Sequence, residues 1–340
     1  MSSIQPALLD QQSPGKIRSR PCPACSLCGT PGVLLYEGVK DRLFGAPGVW
    51  NFKRCPSSSC GLIWLDPMPR EEDIGNAYIS YHTHEQVLSP GAGKGLAAVI
   101  EGMLRKTYKF LLLTTPLHRE LEQLELMYVG SLRPGKILDV GCGNGNRLVR
   151  FQKLGWDVHG QEVDAEAAAE AQRISGVPVY LGPLEEAGFA DGSFDAITMN
   201  HVIEHVHDPV RLLQECRRIL KTGGALMIAT PNAESHGHDR FGASWRGLEP
   251  PRHLHLFSRC TLHQTAVKAG FLKCETWTSA ARPSGSVPRN HESEAFTLGR
   301  REATANLKRR IMFVAYQFRM SVAHRKLPNS GEECILKAAK

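Results

Sequence analysis

The 340-residue chain has no apolar run fit to cross a bilayer: its longest aliphatic stretch, Phe110 to Leu113, falls far short of the roughly 20 residues a spanning helix needs. It also lacks an apolar segment behind the first basic residues of MSSIQPALLDQQSPGK, the pattern of a secretory leader. A cytoplasmic location is therefore expected. Aromatic residues make up only 7%, and residues 21–68 carry no dense basic stripe with interleaved aromatics, so no nucleic-acid partner is expected. There is no internal repeat.

What is present bounds the fold. A content of 42% apolar residues can bury one large core or two modest ones, which suits a catalytic domain with an accessory module. The net charge is +7, and residues 282–326 alone hold ten Lys or Arg against three Glu, an excess equal to that of the whole chain. Ten cysteines are present, five of them between residues 22 and 60. Such crowding favours a metal over disulfides.

Along the chain, residues 1–20 read as a disordered tail and 21–68 as a cysteine-rich module ending in GLIWLDPMP. Residues 69–133 read as a helical linker or lid, with helical spacing from Gly95 to Val129 broken near Pro116. From residue 134 to 340 the pattern alternates. KILDV, WDVHGQEV, VPVYLG, FDAITMN, GALMIATPN and FLKCETWTS read as strands, with helices between them, and GEECILKAAK reads as a closing strand. The expected fold is α/β: a doubly wound, seven-stranded, mostly parallel sheet, with residues 282–330 as a basic helical insertion before the last strand.

The first strand runs into DVGCGNGN, with glycines at 141, 143 and 145. A dinucleotide fingerprint, G-x-G-x-x-G, would need its last glycine where Asn146 stands, which argues against a nicotinamide oxidoreductase. Glycines there let the backbone approach a ligand closely at the carboxyl edge of the sheet. One strand later Glu162 is placed to accept hydrogen bonds from ribose hydroxyls.

These residues resemble the class I S-adenosylmethionine-dependent methyltransferases: LDVGCGNG matches their first motif, SFDAITMNHVIEHVHDP the fourth-strand motif and LKTGGALMIATPN the fifth. The resemblance implies that Asp139, Gly141, Cys142, Gly143 and Gly145 surround the methionine part of the cofactor. By the same token Glu162 binds its ribose, Val163 and Leu184 flank the adenine, and Asn200 and His201 lie beside the sulfonium. HVIEHVHDP and the later PPRHLHLFS are most similar to the ubiquinone-biosynthesis O-methyltransferases and their relatives. The resemblance implies methyl transfer from S-adenosylmethionine; the acceptor does not transfer with it, and an oxygen of a small hydroxylated metabolite, sugar or lipid-linked glycan is expected. A C- or N-directed enzyme and a zinc-bearing binding protein that has lost its chemistry are the alternatives.

HVIEHVHDP holds the candidate catalytic residues His201, Glu204 and His205, with His205 either a general base or a histidine that orients a loop. Asp208 and Pro209 fit an N-cap and a first helical position. H-x-x-E-H also resembles the E-x-x-E-H motif tied to a divalent ion in related enzymes, with His253 or His255 able to complete a set. His201 in place of the first acid takes an oxygen ligand from Mg²⁺. Arg252, His253, His255 and Trp245 are the acceptor-side candidates, and Ser258 is a helix cap. In the module, Cys25, Cys28, Cys55 and Cys60 form two close pairs that suit structural Zn²⁺, with Cys22 an alternative to Cys25. Residues 307–326 look like a basic amphipathic helix. A lid, a subunit contact and a peripheral membrane contact through residues 300–326 are all open to it.

Overall fold

A computed structural model describes residues 16–78, 116–281, 324 and 326–340. Of the two helices expected either side of Pro116, the first lies outside the described residues and the second is present as Pro116–Glu125; the basic helix at 307–326 also lies outside them, apart from His324 and Lys326.

Two sheets and a short strand pair are present. β1 (Ser19–Arg20) pairs with β5 (Met68–Pro69). β2 (Val33–Val39), β3 (Trp50–Arg54) and β4 (Ile63–Leu65) make an antiparallel meander in the cysteine module. The large sheet contains β6 (Lys136–Val140), β7 (Asp157–Glu162), β8 (Val179–Leu181), β9 (Phe194–Asn200) and β10 (Leu220–Pro231), all parallel. A two-residue strand, β11 (His255–Leu256), leaves this domain to pair with β4, so the module's sheet has the order β11-β4-β3-β2. β12 (Lys273–Ser279) and β13 (Glu333–Ala339) complete the large sheet, whose order is β12-β13-β10-β9-β6-β7-β8. β13 runs antiparallel to both its neighbours.

The period-2 alternation of strand side chains divides the core into two layers. Leu138, Val140, Ile197, Met199, Leu226 and Ile228 face one way, towards α4 (Pro209–Ile219), α6 (Arg259–Lys268) and the cysteine module, and Phe241 of the short α5 (His236–Phe241) packs against the same layer. Ile137, Ala196, Met227 and Ala229 face the other way, towards α1 (Pro116–Glu125) and α2 (Asn146–Lys153), with α3 (Ala165–Ser175) beyond. The module shares the first layer: Phe52, Trp64 and Leu65 join one continuous core with Leu254, Leu256 and Phe257.

From β6 the chain steps outward to β7 and β8, then returns to the opposite side of β6 for β9. That reversal opens a crevice beyond the carboxyl ends of β6 and β9, the place where open α/β sheets bind ligands. The caps hold as expected. Asp208 accepts the Arg211 N–H with Pro209 as the first helical residue, and Ser258 forms a reciprocal capping box with Thr261.

Candidate active site

At the cofactor end, Gly141 and Gly145 have φ of +64° and +77°, a backbone region that resists L side chains. Packing forbids a side chain there as well, because a Cβ on Gly145 would sit 2.6 Å from the Cα of Ala171 and one on Gly141 would strike Val202. The loop is thus pressed between α3 and the turn after β9. Its Gly143 N–H donates to Glu162 Oε2 at 2.7 Å, while Oε1 accepts the N–H groups of Val163 and Asp164. Three backbone donors therefore fix the carboxylate, and Oε2 keeps a lone pair for a ligand hydroxyl. Cys142 is buried and ties the loop to β7 through its N–H on Gln161 O. Leu184 is buried and Val163 exposed on the strand ends beyond.

A cavity of about 320 Å³ opens over this loop, bordered by Asn144, Arg147, Arg150 and Asn200. Three buried polar atoms around it have no hydrogen-bond partner: Asp139 Oδ2, Arg147 Nε and Asn200 Oδ1. Asp139 is fully buried, which pushes its carboxyl upward. Thr198 donates to its Oδ1, but Arg147 Nη1 stands 3.5 Å from Oδ2. An α-ammonium against Asp139 and Asn200 and an α-carboxylate against Arg147 would satisfy all three. The residues present fit the methionine end of S-adenosylmethionine, and Arg147 is a member of the set that the sequence did not single out.

At the other end, β9 stops at Asn200 and the chain turns through His201, a non-glycine residue at φ +55°. Its ring is clamped: Nδ1 lies 3.2 Å from Glu204 Oε1 and Nε2 3.2 Å from Glu333 Oε1. Desolvation opposes the ring's charge, but the two carboxylates outweigh it and hold the imidazolium up to about 10. His201 is therefore an imidazolium at neutral pH, with no lone pair free to accept a proton. Glu204, fully buried, has burial against its ionisation, yet the His201 hydrogen bond and the neighbouring histidines bring it down to about 2. Thr230 donates to its second oxygen at 2.9 Å.

His205 and His253 follow a different rule. His205 Nδ1 lies 3.0 Å from Arg252 O and His253 Nδ1 2.7 Å from Gly247 O. A carbonyl only accepts, so each Nδ1 carries the proton and each Nε2 keeps its lone pair. The Tyr78 hydroxyl oxygen, 3.1 Å away, shares the His205 N–H. Burial, with repulsion from His253, pushes His205 down to about 4, and burial does the same to His253. Both are neutral and too weakly basic for effective general-base work at neutral pH. One donor atom from each of Glu204, His205 and His253 lies within 4.8 Å of the others.

The remaining acceptor-side candidates are committed elsewhere. Trp245 is buried and stacked on His238, with ring centroids 4.6 Å apart, so it is no lid. Arg252 is fully buried and ion-paired with Asp41 and Glu249. His255 holds Val206 O through Nδ1 from within β11, and burial pushes it down to about 4. Of the four side chains, the structure brings that of His253 alone to Glu204 and His205.

In the module, the sulfurs of Cys25 and Cys60 are 3.7 Å apart and those of Cys28 and Cys55 3.4 Å, with all four within 4.8 Å. Four thiolates about 2.3 Å from a tetrahedral ion would stand about 3.8 Å from one another, so the cluster fits Zn²⁺. The cluster contains Cys25 and not Cys22, whose backbone binds Asp66 and Trp64.

Comparison with known proteins agrees with the strand order. Residues 112–275 match the family model described as a methyltransferase domain. This part of the chain is a methyltransferase domain, with the strand order expected of the class I S-adenosylmethionine-dependent enzymes. An uncharacterized 37.1 kDa protein of transposon Tn4556 from Streptomyces fradiae is 35% identical to the chain over 112 residues, 30% of this chain and 32% of that protein. A ubiquinone biosynthesis O-methyltransferase from Xanthomonas oryzae pv. oryzae is 35% identical over 127 residues, 34% of this chain and 52% of the enzyme. The chain thus spans about a third to a half of the length of these relatives. Among solved structures, a methyltransferase from Thermotoga maritima is 24% identical, with a TM-score of 0.44 over 71% of this chain and 99% of that one. Among the described residues no helix is long and apolar enough to cross a membrane.

Proposed function

We propose that the protein transfers a methyl group from S-adenosylmethionine to an oxygen of a small hydroxylated metabolite, sugar or lipid-linked glycan. The observation that carries this reading is a glycine loop keyed to Glu162 at the carboxyl end of β6, next to β9, whose following turn brings Glu204 and His205 together with His253. Support for O-direction comes from the ubiquinone O-methyltransferase relatives.

S-adenosylmethionine, when bound, supplies an electrophilic methyl group on a sulfonium. Glu162 would hold the ribose, while the glycine loop, Asp139, Arg147 and Asn200 would hold the amino-acid end. Glu204, His201 and Glu333 together carry one net negative charge beside the reacting centre, which favours a cationic ligand there. With His201 locked as a cation and His205 weakly basic, the neutral Nε2 atoms are better suited to ligation than to proton abstraction. Two imidazoles whose other N–H groups are held by backbone carbonyls, together with a carboxylate, are a donor set for a divalent ion such as Mn²⁺, Fe²⁺ or Zn²⁺, and less so for Mg²⁺. Such an ion would gather the acceptor's hydroxyl oxygens and lower their proton affinity. The Cys25, Cys28, Cys55 and Cys60 set would hold a separate, structural Zn²⁺.

Incubation with methyl-labelled S-adenosylmethionine and a panel of catechol, sugar and polyprenyl-glycan acceptors, with and without added Mn²⁺, tests the proposal. Label on an acceptor oxygen, raised by the metal, is expected. Label on carbon or nitrogen would replace O-direction with one of the alternatives. No transfer to any acceptor, by protein that binds the cofactor, would favour a binding protein that keeps the fold.

A further inference from the structure

Residues Arg252 to His255 lie between the cysteine module and the turn after β9, bonded to both. On the module side, Arg252 is fully buried: its Nη2 donates to Asp41 Oδ2 at 3.0 Å and its Nη1 to Ala77 O at 2.9 Å. Its guanidinium also stands 4.8 Å from the centre of the Phe44 ring. Asp41 is itself held by the N–H groups of Leu43, Phe44 and Ala46, so the loop after β2 wraps around that carboxylate. Leu65 N–H donates to Leu254 O, and His255 pairs with Trp64. On the site side, Arg252 O accepts the His205 Nδ1–H, Leu254 N–H donates to Glu204 O at 2.8 Å, and His255 Nδ1 donates to Val206 O. Helix α6 secures the module from beneath: Lys268 Nζ caps Ser26 O and Leu27 O at the first cysteine pair, and Gln264 binds Ser59 O at the second.

We infer that the cysteine module is part of the acceptor site, and that the buried Asp41–Arg252 pair positions His205 and Glu204 from behind. This rests on the reading of Glu204, His205 and His253 as the acceptor-side donors. A buried ion pair gives little net stability relative to apolar side chains of the same size, yet it fixes geometry, because breaking it on one side leaves a charge uncompensated. Arg252 suits that role. Its side chain belongs to the module while its carbonyl sets the tautomer and direction of His205, as outer partners of metal-binding histidines do. Arg252 is thus a positioning residue, two bonds removed from any acceptor.

The test separates positioning from plain stability. Arg252→Met alone strands the Asp41 charge and destabilises in either case. The double variant Asp41→Asn/Arg252→Met removes the fully buried pair and leaves only the partly exposed Glu249 without its arginine, a loss that Arg252→Met shares and that serves as its stability control; its full-length, zinc-loaded form is compared with wild type by melting, S-adenosylhomocysteine calorimetry, Mn²⁺ titration by electron paramagnetic resonance, and long-range nitrogen NMR of labelled histidines, with His205 assigned through His205→Gln. Positioning by the pair predicts near-wild-type melting and cofactor affinity, loss of the single Nδ1-protonated state of His205, and Mn²⁺ affinity lower by roughly tenfold or more. A folded double variant that keeps the wild-type tautomer and Mn²⁺ affinity would overturn it. If the double variant does not fold, Arg252→Lys, which keeps the charge and loses the forked contact, is measured in the same ways: a lost tautomer with weakened Mn²⁺ binding supports positioning, and wild-type values for both overturn it. A wild-type protein whose His205 is not Nδ1-protonated would sink the reading of the donor set itself, a result distinguishable from failure of the positioning inference.

Discussion

The two ends of the crevice are assembled differently. The cofactor end comes from one contiguous stretch, Asp139 to Glu162, in which a strand, a glycine turn, a helix and a second strand place every main contact except Asn200. The acceptor end gathers Tyr78, the turn from His201 to Val206, the segment from Gly247 to His255, and Glu333 from the closing strand. The first is held by backbone geometry, the second by buried charges and ring tautomers. One should therefore fail through sterics and the other through charge and protonation.

The largest effect is expected in the cysteine module, which backs the acceptor end through the segment from Arg252 to His255. Structural zinc contributes folding free energy on the order of 10 kcal/mol in small zinc domains. Cys60→Ser should abolish zinc retention and expose the module to limited proteolysis. A variant that keeps its protease resistance without zinc would show the module to be held by its apolar core alone.

Next comes the steric test. Gly145→Val meets both the positive φ and the Ala171 backbone, and should cost about 3 kcal/mol or more in thermal unfolding while eliminating cofactor binding. The glycine loop was legible in the sequence because strand, glycine triplet and following acid are local in the chain. So were the seven strands, whose short apolar runs are bounded by turn residues, and the cysteine pairs, whose spacing is itself the signal. Arg147 was not legible, since in NRLVRFQK it looks like the solvated face of a helix and its partner Asp139 is defined only by the fold. Arg252 and Trp245 were expected at the acceptor and are buried. The partner of Arg252, Asp41, lies 211 residues away, and no local pattern announces it. Backbone carbonyls that set a histidine tautomer leave no mark in sequence at all.

The charge-based end should respond to acid. His205, His253 and His255 titrate near 4 in the folded protein, against about 6.5 in an unfolded chain, so the unfolded state binds more protons between those values. Their contribution is fully present above about pH 6.5 and is lost as pH falls towards 4. Urea unfolding of metal-free protein should therefore show stability dropping by a few kcal/mol across that window. His201 works in the opposite sense: its contribution is intact below about pH 6.5 and is lost as pH rises through about 10. A flat profile between pH 6.5 and 4 would mean that these rings are solvated.

The smallest effect sharpens the cofactor end. Arg147→Gln should weaken S-adenosylhomocysteine by about 1 to 2 kcal/mol, the worth of one charge-assisted hydrogen bond, while leaving 5′-methylthioadenosine, which lacks the amino-acid group, unchanged. Equal losses for both ligands would remove the arginine from carboxylate binding.

Whether the bend from Gly141 to Gly145 and the Glu162 carboxylate form an adenosyl-cofactor site, on which the rest depends, is decided by calorimetric titration of S-adenosylhomocysteine into wild type and Glu162→Ala. One site per chain is expected in the wild type, with an affinity loss of roughly tenfold or more in the variant, whose ribose acceptor is gone. No heat with folded wild-type protein, or equal affinity in the two proteins, would contradict it.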